Sequence, residues 1–167
     1  MEKLYLKNFN LYIIDSLMNI INDTFLKEKI QLAIDVLVQI FEILGKELEK
    51  DLEHILLVLM ECPEKECLNL IILLARDCNV VPYIDKIIEY AFRTSASSET
   101  LINLLEILSY KYPKQLRTSA SAILTKLHSI IEAEPENIKK HVKVLVIYQN
   151  FNGLLEPYLA ELVPLIL

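Results

Sequence analysis

Apolar residues recur along the chain at intervals of three and four positions, and no stretch shows the alternation at intervals of two that marks a β-strand. This pattern predicts an all-α protein of about nine helices. They are expected over residues 8–22, 24–44, 47–61, 65–77, 82–92, 99–111, 113–133, 135–149 and, after a turn over 150–153, to the C-terminal residue.

Glycine and proline set most of the predicted helix boundaries. Gly45 suits the end of the second helix, because glycine readily adopts the backbone conformation that terminates a helix. Pro82, Pro113 and Pro135 suit first turns, where proline sacrifices no hydrogen bond. Ser98 is the expected N-cap of the sixth helix.

The second predicted helix carries two apolar stripes, which together predict burial on more than one side. The first stripe consists of Leu26, Ile30, Ala33, Leu37, Phe41 and Leu44. The second consists of Leu32, Val36, Ile40 and Ile43.

A short apolar motif recurs along the chain and indicates an internal repeat of helix–turn–helix units. It reads Leu37-Val38-x-Ile40-Phe41 and returns, at offsets of 33, 34 and 40 residues, over 70–74, 104–108 and 144–148. A second element, Pro82-Tyr83-Ile84-x-x-Ile87-Ile88, is echoed by Pro157-Tyr158-Leu159-x-x-Leu162-Val163.

With its stretch Pro113-Lys114-x-Leu116-Arg117-x-x-Ala120-x-x-x-Leu124-x-x-Leu127, the chain resembles the HEAT/armadillo superfamily of α-solenoids over most of 24–167. The resemblance implies one domain, an α-α superhelix of antiparallel helix pairs, with 1–23 as a capping helix and about four pairs in 24–167. It also implies a curved surface that is presented to a protein or peptide. A compact helical bundle is the alternative architecture.

The charge distribution bears on the choice of partner. The net charge is −6, which disfavours non-specific binding to nucleic acid because phosphate contacts need lysine and arginine. Residues 107–143, however, carry seven basic and three acidic side chains. The alternative function is therefore that of a HEAT-like nucleic-acid-associated protein that uses this segment.

No apolar run is long enough to span a membrane, and the first residues do not form a secretory signal, so a cytoplasmic location is expected. Abundant Lys, Ile, Leu and Glu would suit a thermophile.

The cysteines are expected to be buried structural residues. Cys62, Cys67 and Cys78, with His54, lack the ligand spacing of a zinc site. A disulfide between Cys62 and Cys67 is the alternative. Cys62 and His54 are eight residues apart, about 12 Å along a helix, which is too far for a nucleophile and its base.

Motifs for phosphate-binding loops and zinc peptidases are absent, and Glu132, Glu134 and Glu136 are expected in a solvated loop. The sequence therefore predicts a non-catalytic protein with no catalytic residue, no cofactor and no metal.

Candidate partner-binding residues combine exposed tyrosines, the basic cluster and the apolar C-terminal segment. They are Tyr83, Lys114, Arg117, Lys139, Lys140, Lys143, Tyr148, Tyr158, Leu162 and Ile166. The C-terminal residues are too apolar for one side of a terminal helix, so a homodimer through this helix is expected, with a heterologous partner as the alternative. The predicted function is that of a protein-binding scaffold or adaptor.

Overall fold

The computed structural model describes residues 2–23, 27–62 and 64–151, and within these ranges the regular structure is helical, without a strand. The all-α prediction is confirmed for this part of the chain. Its α-helices are α1 Glu2–Asn22, α2 Lys27–Leu44, α3 Leu52–Glu61, α4 Cys67–Asp77, α5 Ile84–Arg93, α6 Ser98–Lys111, α7 Ala120–Ala133 and α8 Ile138–Asn150. The predicted ninth helix lies outside the described residues.

None of the helices in the described ranges is both long enough and apolar enough to cross a membrane.

The chain divides into two compact units. The first comprises residues 1–80 with 93–95, and the second comprises residues 81–92 with 96–167. Helices α1 to α4 belong to the first unit and α6 to α8 to the second, with α5 as far as Phe92. The single repeat domain over 1–167 stays a prediction.

In the first unit, α2 packs against α1 and α4, and α3 packs against α4. The apolar face of each helix supplies the core. Its fully buried large side chains include Ile14, Met18, Leu37, Phe41, Ile55, Leu56, Leu59, Leu68, Leu70, Ile71 and Leu74.

Helix α2 ends at Leu44, and the next residue, Gly45, has φ +48°. Side chains with a Cβ atom rarely adopt this conformation, so the predicted role of Gly45 as a helix terminator is confirmed. The chain then continues as a 3-10 helix over Gly45–Asp51, which buries Leu48.

In the second unit, α8 packs against α6 and α7. The core draws on α5, α6, α7 and α8 and includes Ile87, Ile102, Leu104, Leu105, Leu108, Leu116, Ile123, Leu127, Val144, Ile147 and Phe151.

The four copies of the repeated motif fall on alternate helices, namely α2, α4, α6 and α8. The first and fifth residues of each copy are buried. Helix α2 contacts α4 in the first unit, and α6 contacts α8 in the second. Stacking of all the pairs into one superhelix stays a prediction.

Three proline-based predictions placed helix starts too early. Residues Val81–Tyr83 form a 3-10 helix before α5, α7 begins at Ala120 rather than Pro113, and α8 begins at Ile138 rather than Pro135. Proline fixes its own φ near −65°, and this value suits turns and 3-10 helices as well as the first α-helical turn.

The N-cap of α6 is Ser97 rather than Ser98. The Ser97 hydroxyl accepts a hydrogen bond from the Thr100 amide at 3.2 Å, while Ser98 is the first helical residue. The α1 helix also begins earlier than predicted, at Glu2.

The second stripe of α2 is not buried as predicted. Leu32 is 65% exposed and Ile43 is 82% exposed, and Val36 and Ile40 are half-buried. Amphipathic spacing identifies which residues share a face, but a neighbouring element is required to cover that face.

Candidate interaction surface

Helix α8 carries aliphatic residues on two opposite faces. Val144, Ile147 and Tyr148 lie on the inner face and are buried. On the outer face, four residues at positions i, i+4, i+7 and i+8 share one side of the helix. We call them the α8 stripe: Ile138, Val142, Leu145 and Val146, all exposed, with Ile138 73% and Val142 53% accessible.

The charges of α8 are of one sign. Its sequence, IKKHVKVLVIYQN, contains three lysines and one histidine but no acidic residue. Lys139 is exposed and lies beside the stripe, as does Lys143 one turn later. The α8 stripe is therefore an apolar surface with a basic border.

The first turn of α8 is held by a polar cluster. The Asn137 side chain caps the helix by accepting from the Lys140 amide at 3.3 Å. The Lys140 ammonium group donates to Ser98 Oγ at 2.6 Å and to Glu134 Oε1 at 2.5 Å. These bonds join α8 to the start of α6 and to the residue that follows α7.

The same cluster sets the charge state of Glu134. Hydrogen bonding from Lys140, then from Asn137, lowers the pKa of the Glu134 carboxyl below its ordinary value. The sequence predicted Glu134 in a solvated loop and did not indicate that Lys140, six residues later, and Ser98, 36 residues earlier, bond to its carboxylate.

Two further hydrogen bonds fix α8 against α6. Lys143 Nζ donates to Asn103 Oδ1 at 2.8 Å, and Asn150 Nδ2 donates to the hydroxyl of buried Ser109 at 3.1 Å. Together with the cluster around Lys140, they anchor α8 at its first turn, its middle and its end. The outer face is thus presented on a helix of defined position and rotation.

An open depression of about 760 Å³ adjoins the α8 stripe and is lined by the turn from Ala133 to Lys139. Ile138 belongs to both the depression and the stripe. The exposed surface therefore extends beyond α8 into the turn before it.

The predicted partner-binding residues do not all lie on this surface. Lys114, Arg117 and Lys139 are exposed, Tyr83 is partly exposed, and Lys140 and Lys143 hold α8 in place as described. Tyr148 is buried on the inner face of α8, where burial raises its pKa to about 12. Tyr158, Leu162 and Ile166 lie outside the described residues.

Sequence reasoning missed the α8 stripe, although Ile138, Val142 and Val146 have the spacing of a helical face. The only residues of α8 used for the repeat were those over 144–148. An apolar pattern on both sides of α8 was the signal that could have revealed it.

The three cysteines form no disulfide with one another and all three are buried, as expected for structural residues. Cys67 donates a hydrogen bond to the sulfur of Cys62, which lowers the pKa of Cys62 and, with burial, raises that of Cys67. His54 bonds instead with Asp15 at 2.8 Å. Cys62 and His54, considered above as a nucleophile and its base, therefore bond to different residues.

Within the described residues, no group of three or more His, Cys, Asp or Glu side chains is placed to hold a metal ion. Comparisons of this chain with protein-family models, curated proteins and solved structures give no match.

Proposed function

We propose that the protein is a non-catalytic protein-interaction module, a scaffold or adaptor, and that its α8 stripe contacts the partner. The observation that carries the proposal is the exposure of four aliphatic side chains on one face of α8. Contiguous apolar surface of this kind is typical of protein contact sites. Covering Ile138, the most exposed of the four, would contribute up to about 1.5–3 kcal/mol.

The anchoring of α8 supports this function. Three separate polar contacts already hold the helix, at Lys140, Lys143 and Asn150. A partner would therefore lose little free energy in ordering the surface that it binds, and preorganisation of this kind strengthens association.

The resemblance to HEAT/armadillo solenoids adds an architectural reason. Members of that superfamily use helical pairs to present extended surfaces, and here the repeated motif occupies alternate helices. A curved superhelix remains part of the proposal, and self-association through Leu162 and Ile166 is the competing mode that the Leu162→Glu, Ile166→Glu variant described below tests.

The basic segment supports a protein partner better than nucleic acid. Lys140 and Lys143 are engaged with side chains of their own unit, and Lys111 lies over the Tyr112 ring at 5.3 Å from its centroid. Fewer cations are then available to neutralise a row of phosphates, the main source of nucleic-acid affinity.

The test is affinity capture from native lysate followed by mass spectrometry, with three baits. The first is the parent chain and the second is Ile138→Glu with Val142→Glu, which charges the most exposed part of the stripe. The third is Ala122→Glu with Thr125→Glu, the same charge change at exposed positions of α7. Proteins captured by the parent and by the α7 control, but lost with the stripe variant, are the expected result. Equal capture by all three baits would exclude the stripe as the contact surface.

A further inference from the structure

A second exposed apolar stripe lies in the other unit, on α2. It consists of Leu32, Val36, Ile40 and Ile43, and its two ends are the more exposed residues. We call it the α2 stripe. Its first three residues follow the spacing i, i+4, i+8, which is also the spacing of Ile138, Val142 and Val146 in the α8 stripe. Rows of this spacing form the ridges by which helices most commonly interdigitate.

One edge of the α2 stripe is acidic where that of the α8 stripe is basic, and the exposed Lys29 lies one turn before Leu32 at the N-terminal end of the α2 stripe. Glu28, Asp35 and Glu42 follow one another at intervals of seven residues, so they lie along one edge of α2 and are exposed. Asp35 accepts a hydrogen bond from Gln31 at 2.8 Å.

From these observations we infer that the partner of the α8 stripe is the α2 stripe of a second copy of this chain. This inference rests on the proposed function and names its partner. Apolar ridges would cover each other, and the carboxylates of α2 would face the exposed Lys139. Two α8 stripes would instead bring lysines against lysines, a repulsive arrangement that disfavours a symmetric α8–α8 contact.

The contact is heterologous, because the two surfaces that meet are different. After its first contact, each copy still has one uncovered stripe, either α2 or α8. Further copies can bind there, so the average size of the assembly should increase with protein concentration. One helix packed on another forms a small interface, in the range of weak and transient complexes. We therefore expect dissociation constants in the micromolar range or above, on the order of 10–1000 μM.

The test is analytical ultracentrifugation of the full chain up to about 1 mM, to cover this range of weak affinity. One variant carries Ile138→Glu and Val142→Glu, and the other carries Leu32→Glu and Ile43→Glu. Because all four positions are exposed on helices, both variants should retain the parent's circular dichroism spectrum. Each should associate at least about tenfold more weakly than the parent, since each has lost one of the two stripes.

Mixing the two variants is the decisive step. The first still has an intact α2 stripe and the second an intact α8 stripe, so the mixture should form dimers of one copy of each and stop there. A variant with Leu162→Glu and Ile166→Glu should associate like the parent. Loss of association only in this last variant would show that contact is made through the C-terminal residues and would overturn the inference.

A mixture that stays monomeric while the parent associates would overturn it as well, as would a parent that is monomeric throughout. Neither result would disprove the proposed function, because capture of other proteins through the α8 stripe is measured separately. Conversely, if the α8 stripe variant captures the same proteins as the parent, the proposed function is wrong, whatever the ultracentrifugation shows.

Discussion

Contacts between helices differ in kind between the two units, although both cores are built from leucine and isoleucine. In the first unit, the described side chains that link α1 to α3 by hydrogen bonding are His54 and Asp15, both at the surface. In the second, hydrogen bonds link α8 to α6 at Ser98, Asn103 and Ser109. Apolar packing tolerates small shifts, whereas hydrogen bonds fix one helix against another in a single register.

The difference matters for the two exposed stripes. The α8 stripe lies on a helix that side-chain hydrogen bonds join to α6. The α2 stripe lies on a helix that packs against α1 and α4, with the Cys78 thiol donating to the Gly45 carbonyl at its end. We expect the first to behave as a rigid surface and the second to tolerate substitution in its surroundings.

The largest expected loss of stability comes from truncating a buried leucine, and it should be similar in both units because their cores are alike. Leu56→Ala in the first and Leu105→Ala in the second each remove a fully buried side chain. Each should lower the free energy of unfolding by about 2–5 kcal/mol, measured by urea denaturation. Leu57→Ala, at the exposed neighbouring position, is the matched control and should cost less than about 1 kcal/mol. Equal losses for Leu56→Ala and Leu57→Ala would contradict the packing of α3.

The polar cluster of the second unit should contribute a stability that depends on pH in the acidic range. Lys140 lowers the pKa of Glu134, so the ionised carboxylate stabilises the fold above its ordinary pKa of 4.5. This stabilisation is lost as the pH falls through the lowered folded-state value. Lys140→Met should reduce the melting temperature at pH 7, and the difference from the parent should shrink at acidic pH. Lys139→Met is the control and should show neither effect; a constant difference at all pH values would exclude this linkage.

A smaller effect concerns Tyr148, whose buried hydroxyl has no hydrogen-bond partner among the described residues. Tyr148→Phe removes this group and should raise the free energy of unfolding by up to about 1 kcal/mol at neutral pH.

The alkaline pH dependence gives a second measurement. Because burial raises the pKa of Tyr148 from 10 to about 12, the unfolded chain releases this proton first. The free energy of unfolding of the parent should fall between these pH values because of Tyr148, and this contribution should be absent from Tyr148→Phe. Tyr110→Phe, at an exposed position, should leave both measurements unchanged. A larger effect of Tyr110→Phe than of Tyr148→Phe would be inconsistent with a buried, unpaired hydroxyl at Tyr148.

The smallest expected effect is on nucleic-acid binding, although the second unit is the more basic of the two. At about 150 mM salt, fluorescence anisotropy should detect little binding to duplex or single-stranded oligonucleotides. Lys139→Glu with Lys140→Glu should therefore change little. Submicromolar affinity that this double substitution abolishes would favour the nucleic-acid function instead.

Helical periodicity was sufficient to predict the fold class and most of the helices, because burial on one face imposes a three-to-four residue spacing. It also predicted the end of α2 at Gly45. It failed at Pro113 and Pro135, since proline fits several kinds of first turn. It also could not distinguish Ser97 from Ser98 as the cap, as both have the required hydroxyl.

The candidate surface was less predictable. Lys139 and Lys140 are adjacent and identical in sequence, yet one is exposed and the other bonds with Glu134 and Ser98. Which of two apolar faces becomes covered likewise depends on neighbours distant in sequence. This is why the stripe of Leu32 and Ile43 was predicted to be buried and is exposed.

Gly45 has a consequence for which substitutions the chain can accept. A Cβ atom at this position would meet no other atom within 4 Å, so space does not restrict the residue. The restriction is chiral: φ +48° is unfavourable for L-residues, least so for asparagine and aspartate. In a saturation library screened for thermal stability, asparagine should therefore rank above the smaller alanine, and valine and isoleucine should rank last. Side-chain size would order these residues differently, so the ranking separates handedness from bulk.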